Sequence, residues 1–243
     1  MSFTFSLERA LPAQDAAARA MALPVRALLT GGTGRVGSAV ASRLRANGWS
    51  VLAAGRQDGD LSRREDAWTL VQRAVDELGG LELLINAAGE GFAPKPVEEV
   101  TEADWDAAFG ATAKGSFFVT QAAAKHLRAT GGCVVMIEDV AAYQPWPSFA
   151  AHCAAKAAQA MLTRVLARAL APDVRVCGVA PGAVAVPPDQ VARRAAETLL
   201  GRVGAPEDIA EAVLYVAGAD FVTGTTLVVD GGRLLQSKAG GSP

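Results

Sequence analysis

Val25-Arg26-Ala27-Leu28-Leu29-Thr30-Gly31-Gly32-Thr33-Gly34-Arg35-Val36-Gly37 decides the fold: an apolar run closes on a cluster of glycines, after which Val36, Val40 and Leu44 recur every four residues up to Gly48. The run reads as a buried strand and the recurrence as a helix with one apolar face. Glycines at Gly32, Gly34 and Gly37, between strand and helix, let the backbone turn tightly and approach a diphosphate. The free N–H groups and positive dipole end of the helix favour that charge. Gly31, Thr33, Gly34, Arg35, Val36 and Gly37 are therefore assigned to a dinucleotide site.

Outward from this turn, residues 51–54, 81–86, 133–137, 174–179 and 226–229 are short apolar runs that read as further buried strands. Helical patterns lie between them. Trp68, Val71, Val75 and Leu78 form a stripe that stops at Gly79-Gly80, Thr101-x-x-Asp104 opens a helix as a capping box, and longer patterns cover 111–129, 149–170, 189–200 and 206–217. Strands alternating with helices predict an α/β fold, a Rossmann-type doubly wound parallel sheet with helices on both faces. Only five residues separate Ala54 from Asp60, whereas a crossover to a neighbouring parallel strand needs at least about 10 to 12. Six strands are expected, or seven with a vestigial edge strand.

The chain of 243 residues, 51% apolar and 20% charged, is long enough for one large core. A single domain is expected over 25–235, with a flexible N-terminal extension at 1–24 and a tail at 236–243. A net charge of −2 gives no basic footprint for nucleic acid or an anionic membrane. No stretch approaches about 18 continuous apolar residues, so a membrane span is not expected. Cys133, Cys153 and Cys177 are far apart and odd in number, and no secretory core precedes residue 25, which together read as a cytoplasmic protein with reduced thiols. No His/Cys cluster has metal-ligand spacing.

The second strand ends in Ala53-Ala54-Gly55-Arg56. An acidic residue there would bind a ribose 2′-hydroxyl, whereas a guanidinium pairs with a 2′-phosphate, so Arg56 favours NADP(H) over NAD, with Arg35 as a second candidate for the same phosphate.

Further motifs follow: Asn86-Ala87-Ala88-Gly89, Pro181-Gly182, Arg202-x-Gly204-x-Pro206-Glu207-Asp208-Ile209, Val222-Thr223-Gly224 and Val229-Asp230-Gly231-Gly232. In this order they resemble the classical short-chain dehydrogenase/reductase family over about residues 25–235. The resemblance implies a nicotinamide cofactor held by the glycine turn, Asp60, Leu61, Asn86, Ala87, Ala88, Lys156, Pro181 and Gly182. It also implies a small-molecule substrate and a homo-oligomer, tetramer or dimer, built by the helices at 111–129 and 149–170.

Family members use a tyrosine to give up a proton, a lysine four residues on, a serine about 13 residues before the tyrosine, and an asparagine that orders a relay water. Here Lys156 keeps the lysine position, but His152 stands for the tyrosine, Asp139 for the serine and Thr112 for the asparagine. Aspartate at the serine position, and arginine where Arg35 stands, resemble the pteridine reductases, whose aspartate pairs with ring N–H and amino groups of a pterin. Phe92 matches the phenylalanine that stacks such a ring on the nicotinamide. Tyr143 and Trp146 lie on the loop expected to border the substrate. An imidazole, titrating near pH 6.5, is a competent acid or base, so Asp139 and His152 are read as an acid pair in an NADPH-dependent reductase of a small ring imine or carbonyl, pterin-like by preference. A general ketone or 3-oxoacyl reductase, and an NADP(H)-binding homologue impaired in turnover, remain the alternatives.

Overall fold

The computed structural model describes residues 25–91 and 93–236. The expected extension at 1–24, Phe92 and residues 237–243 of the tail lie outside the described residues. The strands are Arg26–Thr30 (β1), Ser50–Ala54 (β2), Leu83–Asn86 (β3), Cys133–Ile137 (β4), Arg175–Pro181 (β5) and Thr226–Val229 (β6). All pair in parallel, in the order β2-β1-β3-β4-β5-β6.

Successive strand residues point to opposite faces, and both faces are covered, so every position in the central strands can be apolar. Leu28, Leu84, Val134, Met136 and Val176 pack beneath Arg64–Leu78 (α2), Gly115–Thr130 (α4) and Ala150–Leu170 (α5). Their neighbours Leu29, Leu83, Ile85, Val135, Cys177 and Val179 meet Arg35–Ala46 (α1) and Pro206–Gly218 (α7) on the other face. Each fully buried leucine contributes roughly 1.5–3 kcal/mol relative to exposure, which makes these two layers the main drive to fold.

The missing crossover leaves six strands. Arg56–Asp58 forms one short 3-10 turn and the chain then enters α2 without a seventh strand. Chain direction along the sheet therefore reverses between β1 and β3, the switch point at which open α/β sheets bind ligands. Local stops behave as the residue types require. Gly79 ends α2 at φ 77°, and Thr101 caps Glu102–Phe109 (α3) with reciprocal bonds, Asp104 N to Thr101 Oγ1 at 3.2 Å and Thr101 N to Asp104 Oδ2 at 2.8 Å.

The helix expected over 189–200 is shorter than its pattern, covering Val191–Ala196 (α6). The Thr198 hydroxyl bonds the carbonyls of Ala195 and Arg202, each at 3.0 Å, and turns the chain into Gly201 at φ 65°.

In the first turn of α7, Asp208 accepts from Ala205 N at 2.8 Å and from both terminal nitrogens of Arg202 at 2.7 and 3.0 Å. The hydrogen bond from Arg202, then that from the Ala205 amide, hold its carboxyl below the usual range. A lowered carboxyl pKa adds stability above the ordinary carboxylate range and loses it as pH falls. Asp208→Ala is expected to cost about 1 kcal/mol near neutral pH, with the gap to wild type narrowing in acid, as read by urea unfolding at two pH values.

Candidate functional site

At the switch point the glycine turn presses on the loop that follows β3. Gly31 sits at φ 70°, and a Cβ there would lie 2.5 Å from the Ala87 carbonyl oxygen. One on Gly37 would lie 2.2 Å from the Gly31 carbonyl oxygen, and one on Gly32 2.6 Å from Ala53 Cβ. Only hydrogen fits at these positions, so turn, strand and helix lock together. Thr30 closes the same seam, its Oγ1 accepting from Ala87 N at 3.2 Å and Ala88 N at 3.3 Å. Asn86 Nδ2 donates to Thr120 Oγ1 at 3.0 Å, which ties the end of β3 to α4.

A cleft of about 410 Å³ opens here, lined by Gly31, Thr33, Gly34, Arg56, Asp60, Leu61, Ala87 and Ala88 among the residues assigned from sequence, with Glu90 added. Arg35, Val36, Gly37, Asn86, Lys156, Pro181 and Gly182 do not line this cleft. Arg35 instead turns its guanidinium to the carbonyl of Ala185. The N-terminus of α1 has no side-chain cap and no acidic residue in its first turn. Its positive end and the glycine cradle thus fit a diphosphate. Asp60 accepts from Ser62 N at 2.9 Å, and its bonds to Ser62 hold its carboxyl below the usual range. Arg56 does not stand alone: its Nη2 lies 2.9 Å from Glu90 Oε2.

The positions assigned to catalysis from the family resemblance sit around the end of β4 and the start of α5. His152 Nε2 approaches Asp139 Oδ2 to 3.4 Å, while Asp139 Oδ1 accepts from Ala141 N at 2.8 Å. Asp139 therefore both caps its own turn and faces the imidazole. Lys156, only 8% exposed, donates to the Ile137 carbonyl at 2.9 Å and to Gln159 Oε1 at 3.1 Å. Burial pulls its pKa down, and the negative charges of Asp139 and Glu138 pull against that.

Thr112 is buried in a π-helical segment, Gly110–Lys114, between α3 and α4. Such bulges recur at functional sites, and Thr112 lines a second cavity, of about 270 Å³, together with His152, Phe149 and Glu90. Trp146 lies parallel to the His152 ring, 11° apart with centroids 6.4 Å distant. Tyr143 does not face this pair: its hydroxyl donates to Glu138 Oε2 at 2.9 Å, so it is committed to a structural bond.

Sequence reasoning missed Glu138, Glu90, Gln159 and Arg233. Glu138, 2% exposed, gathers three hydroxyls, from Tyr143, Thr163 at 2.6 Å and Thr226 at 3.1 Å. A carboxylate directly after an apolar strand is itself a signal, since acids are almost never buried unpaired. Gln159 passes the Lys156 contact on to Ser116 Oγ at 2.9 Å. Arg233 reaches back from the end of the chain, its guanidinium 5.0 Å from the Trp146 ring centre and its Nη2 2.9 Å from Glu197. Nothing in the spacing announces either of those two.

A parallel sheet that reverses direction at a glycine turn, with a buried lysine one helical turn after a site histidine, defines a Rossmann-type domain of the oxidoreductase kind. Residues 50–233 match the sequence profile of the family described as Enoyl-(Acyl carrier protein) reductase. The chain is 35% identical over 238 residues to a protein described as a ketoacyl reductase of the granaticin polyketide synthase of Streptomyces violaceoruber, covering 86% of this chain and 96% of that one. It is 33% identical over 243 residues to 3beta-hydroxysteroid dehydrogenase 1 of Eggerthella lenta, covering 86% and 93%. The solved 3-ketoacyl-(acyl-carrier-protein) reductase from Brucella melitensis, complexed with NADH, superposes with a TM-score of 0.80 at 27% identity, covering 85% of this chain and 97% of that one. The chain belongs to the short-chain dehydrogenase/reductase family. Among the described residues no helix is long and apolar enough to cross a membrane.

A methyl group on Gly178 would lie 2.2 Å from Glu138 Oε1 and 2.7 Å from Thr226 Oγ1. Gly178→Ala is expected to displace the buried carboxylate from its three hydroxyls and to lower stability by about 1–3 kcal/mol, measured as a fall in Tm by calorimetry.

Proposed function

We propose that this chain is an NADPH-dependent reductase of a small carbonyl or ring imine in which Asp139 and His152 replace the family's serine and tyrosine. The approach of His152 Nε2 to Asp139 Oδ2, at 3.4 Å beside the second cavity, carries this reading. The glycine cradle, the uncapped end of α1 and Arg56 fit a dinucleotide with a 2′-phosphate, and Lys156, outside that cleft, is assigned to its nicotinamide ribose on the family resemblance. When bound, the reduced nicotinamide supplies a hydride.

The protein's own part is the proton. Asp139 and His152 hold one between Oδ2 and Nε2, and a substrate oxygen or nitrogen entering beside Nε2 takes it. Two of the three N–H donors of Lys156 go to Ile137 and Gln159, and the third is assigned to the ribose. Trp146, flat against the imidazole on one side and under the Arg233 guanidinium, fixes the ring plane and supplies an apolar wall. A planar heterocycle with adjacent N–H and amino groups suits Asp139, which supports a pterin-like substrate ahead of a simple ketone. The relatives that act on ketoacyl groups and hydroxysteroids support the broader carbonyl reading.

The protein is also proposed to form homo-oligomers: Met161 and Val165, one turn apart on α5, are 54% and 52% exposed, and Tyr215 on α7 is 62% exposed.

Two measurements test this function. NADPH oxidation is expected with a dihydropterin or ketone panel, and His152→Ala is expected to lower kcat by about 10²–10⁴-fold; an unchanged rate removes the acid assignment. A wild-type chain that binds coenzyme without turnover, and gains activity on His152→Tyr, supports the impaired-homologue alternative. For the coenzyme, Arg56→Ala is expected to raise the Kd for NADPH by about tenfold with little change for NADH, read by fluorescence titration.

A further inference from the structure

β2 and β3 do not pair with each other; both flank β1. Arg56 follows β2 and Glu90 follows β3, so their 2.9 Å ion pair bridges two segments on either side of the strand that carries the glycine turn. Both residues line the same cleft, in which Arg56 is the one cationic side chain among the described lining residues and Asp60 and Glu90 are the two carboxylates. Asp60 is engaged by the Ser62 amide. Among the described residues Glu90 has one side-chain partner, Arg56. The side chains are 80% and 40% exposed, so the pair is weak enough to be exchanged for another anion.

Building on the coenzyme assignment above, we propose that Glu90 is a coenzyme-selectivity residue: it occupies the Arg56 guanidinium and so weakens the preference for a 2′-phosphorylated dinucleotide over the unphosphorylated one. A 2′-phosphate competes with the Glu90 carboxylate for the same donors and meets a like charge beside them. A coenzyme with a free 2′-hydroxyl disturbs nothing. The cleft therefore accepts both forms, and the balance between them is set on the β3 side as well as by the residue at the end of β2. No change in the sheet or the glycine turn is required.

The test is a fluorescence titration of the full chain with NADPH and with NADH, for wild type, Glu90→Gln, Arg56→Ala and the double variant, at one ionic strength. Glu90→Gln is expected to tighten NADPH about three- to five-fold, the factor an exposed ion pair represents. NADH is expected to change less than about two-fold, and the gain is expected to vanish when Arg56 is alanine. A ratio of the two affinities that stays at the wild-type value in Glu90→Gln, moves toward NADH, or shifts equally without Arg56 overturns the proposal. Glu90→Ser serves as a second neutral replacement, with Tm confirming that each variant is folded. Failure of the wild-type chain to bind either coenzyme overturns the underlying coenzyme reading, and this proposal with it; binding with an unmoved ratio overturns this proposal alone.

Discussion

The contact between the Gly31 backbone and the Ala87 carbonyl is the constraint on which the rest of the molecule depends. Two loops from neighbouring parallel strands meet there with no room for a side chain. Thr30 adds its hydroxyl to the same seam by accepting two amides from the opposing loop. Because the sheet changes direction at this point, the seam is also where a cleft must open, and its floor is made of backbone. A binding surface built from main-chain groups needs few particular side chains.

At the other end of the site, Asp139 after β4 and His152 at the start of α5 approach one another as a hydrogen-bonding pair. Lys156 stays buried near two carboxylates, Asp139 and Glu138, and Glu138 is held by three hydroxyls, one of them from Thr163 on α5. Charge in this region is thus distributed over neighbouring residues. The stacked Arg233, Trp146 and His152 add a lateral restraint that comes from the end of the chain.

The parts legible from sequence were those with a local physical signature. The Gly79 stop, the Thr101 capping box and the shortage of residues between Ala54 and Asp60 each have a cause within a few positions and appear as read, whereas the periods give the elements but not all their ends, the helix over 189–200 being cut to Val191–Ala196. The family resemblance also put Asp139, His152 and Lys156 in one site, and a strand end and the first turns of the following helix hold Asp139 and His152 within reach. The partners of those residues were not legible. Glu90 meets Arg56 across 34 positions, Glu138 meets Thr226 across 88, and Arg233 reaches Trp146 from the chain's far end. Such meetings depend on the packing of whole layers. Tyr143 illustrates the limit from the other side: its place on the loop was readable, but the direction of its hydroxyl is set by its bond to the buried Glu138, five positions earlier.

The absent crossover after β2 has a consequence for local motion. β2 is bonded along one side only, to β1, and its Ser50 is exposed and Val51 and Leu52 half-buried, where β3 and β4 are buried throughout. Edge segments of this kind open at lower free energy than the interior of a sheet. The adenosine half of a dinucleotide would rest on this margin, so an occupied cleft would hold closed an edge of the sheet that otherwise opens readily.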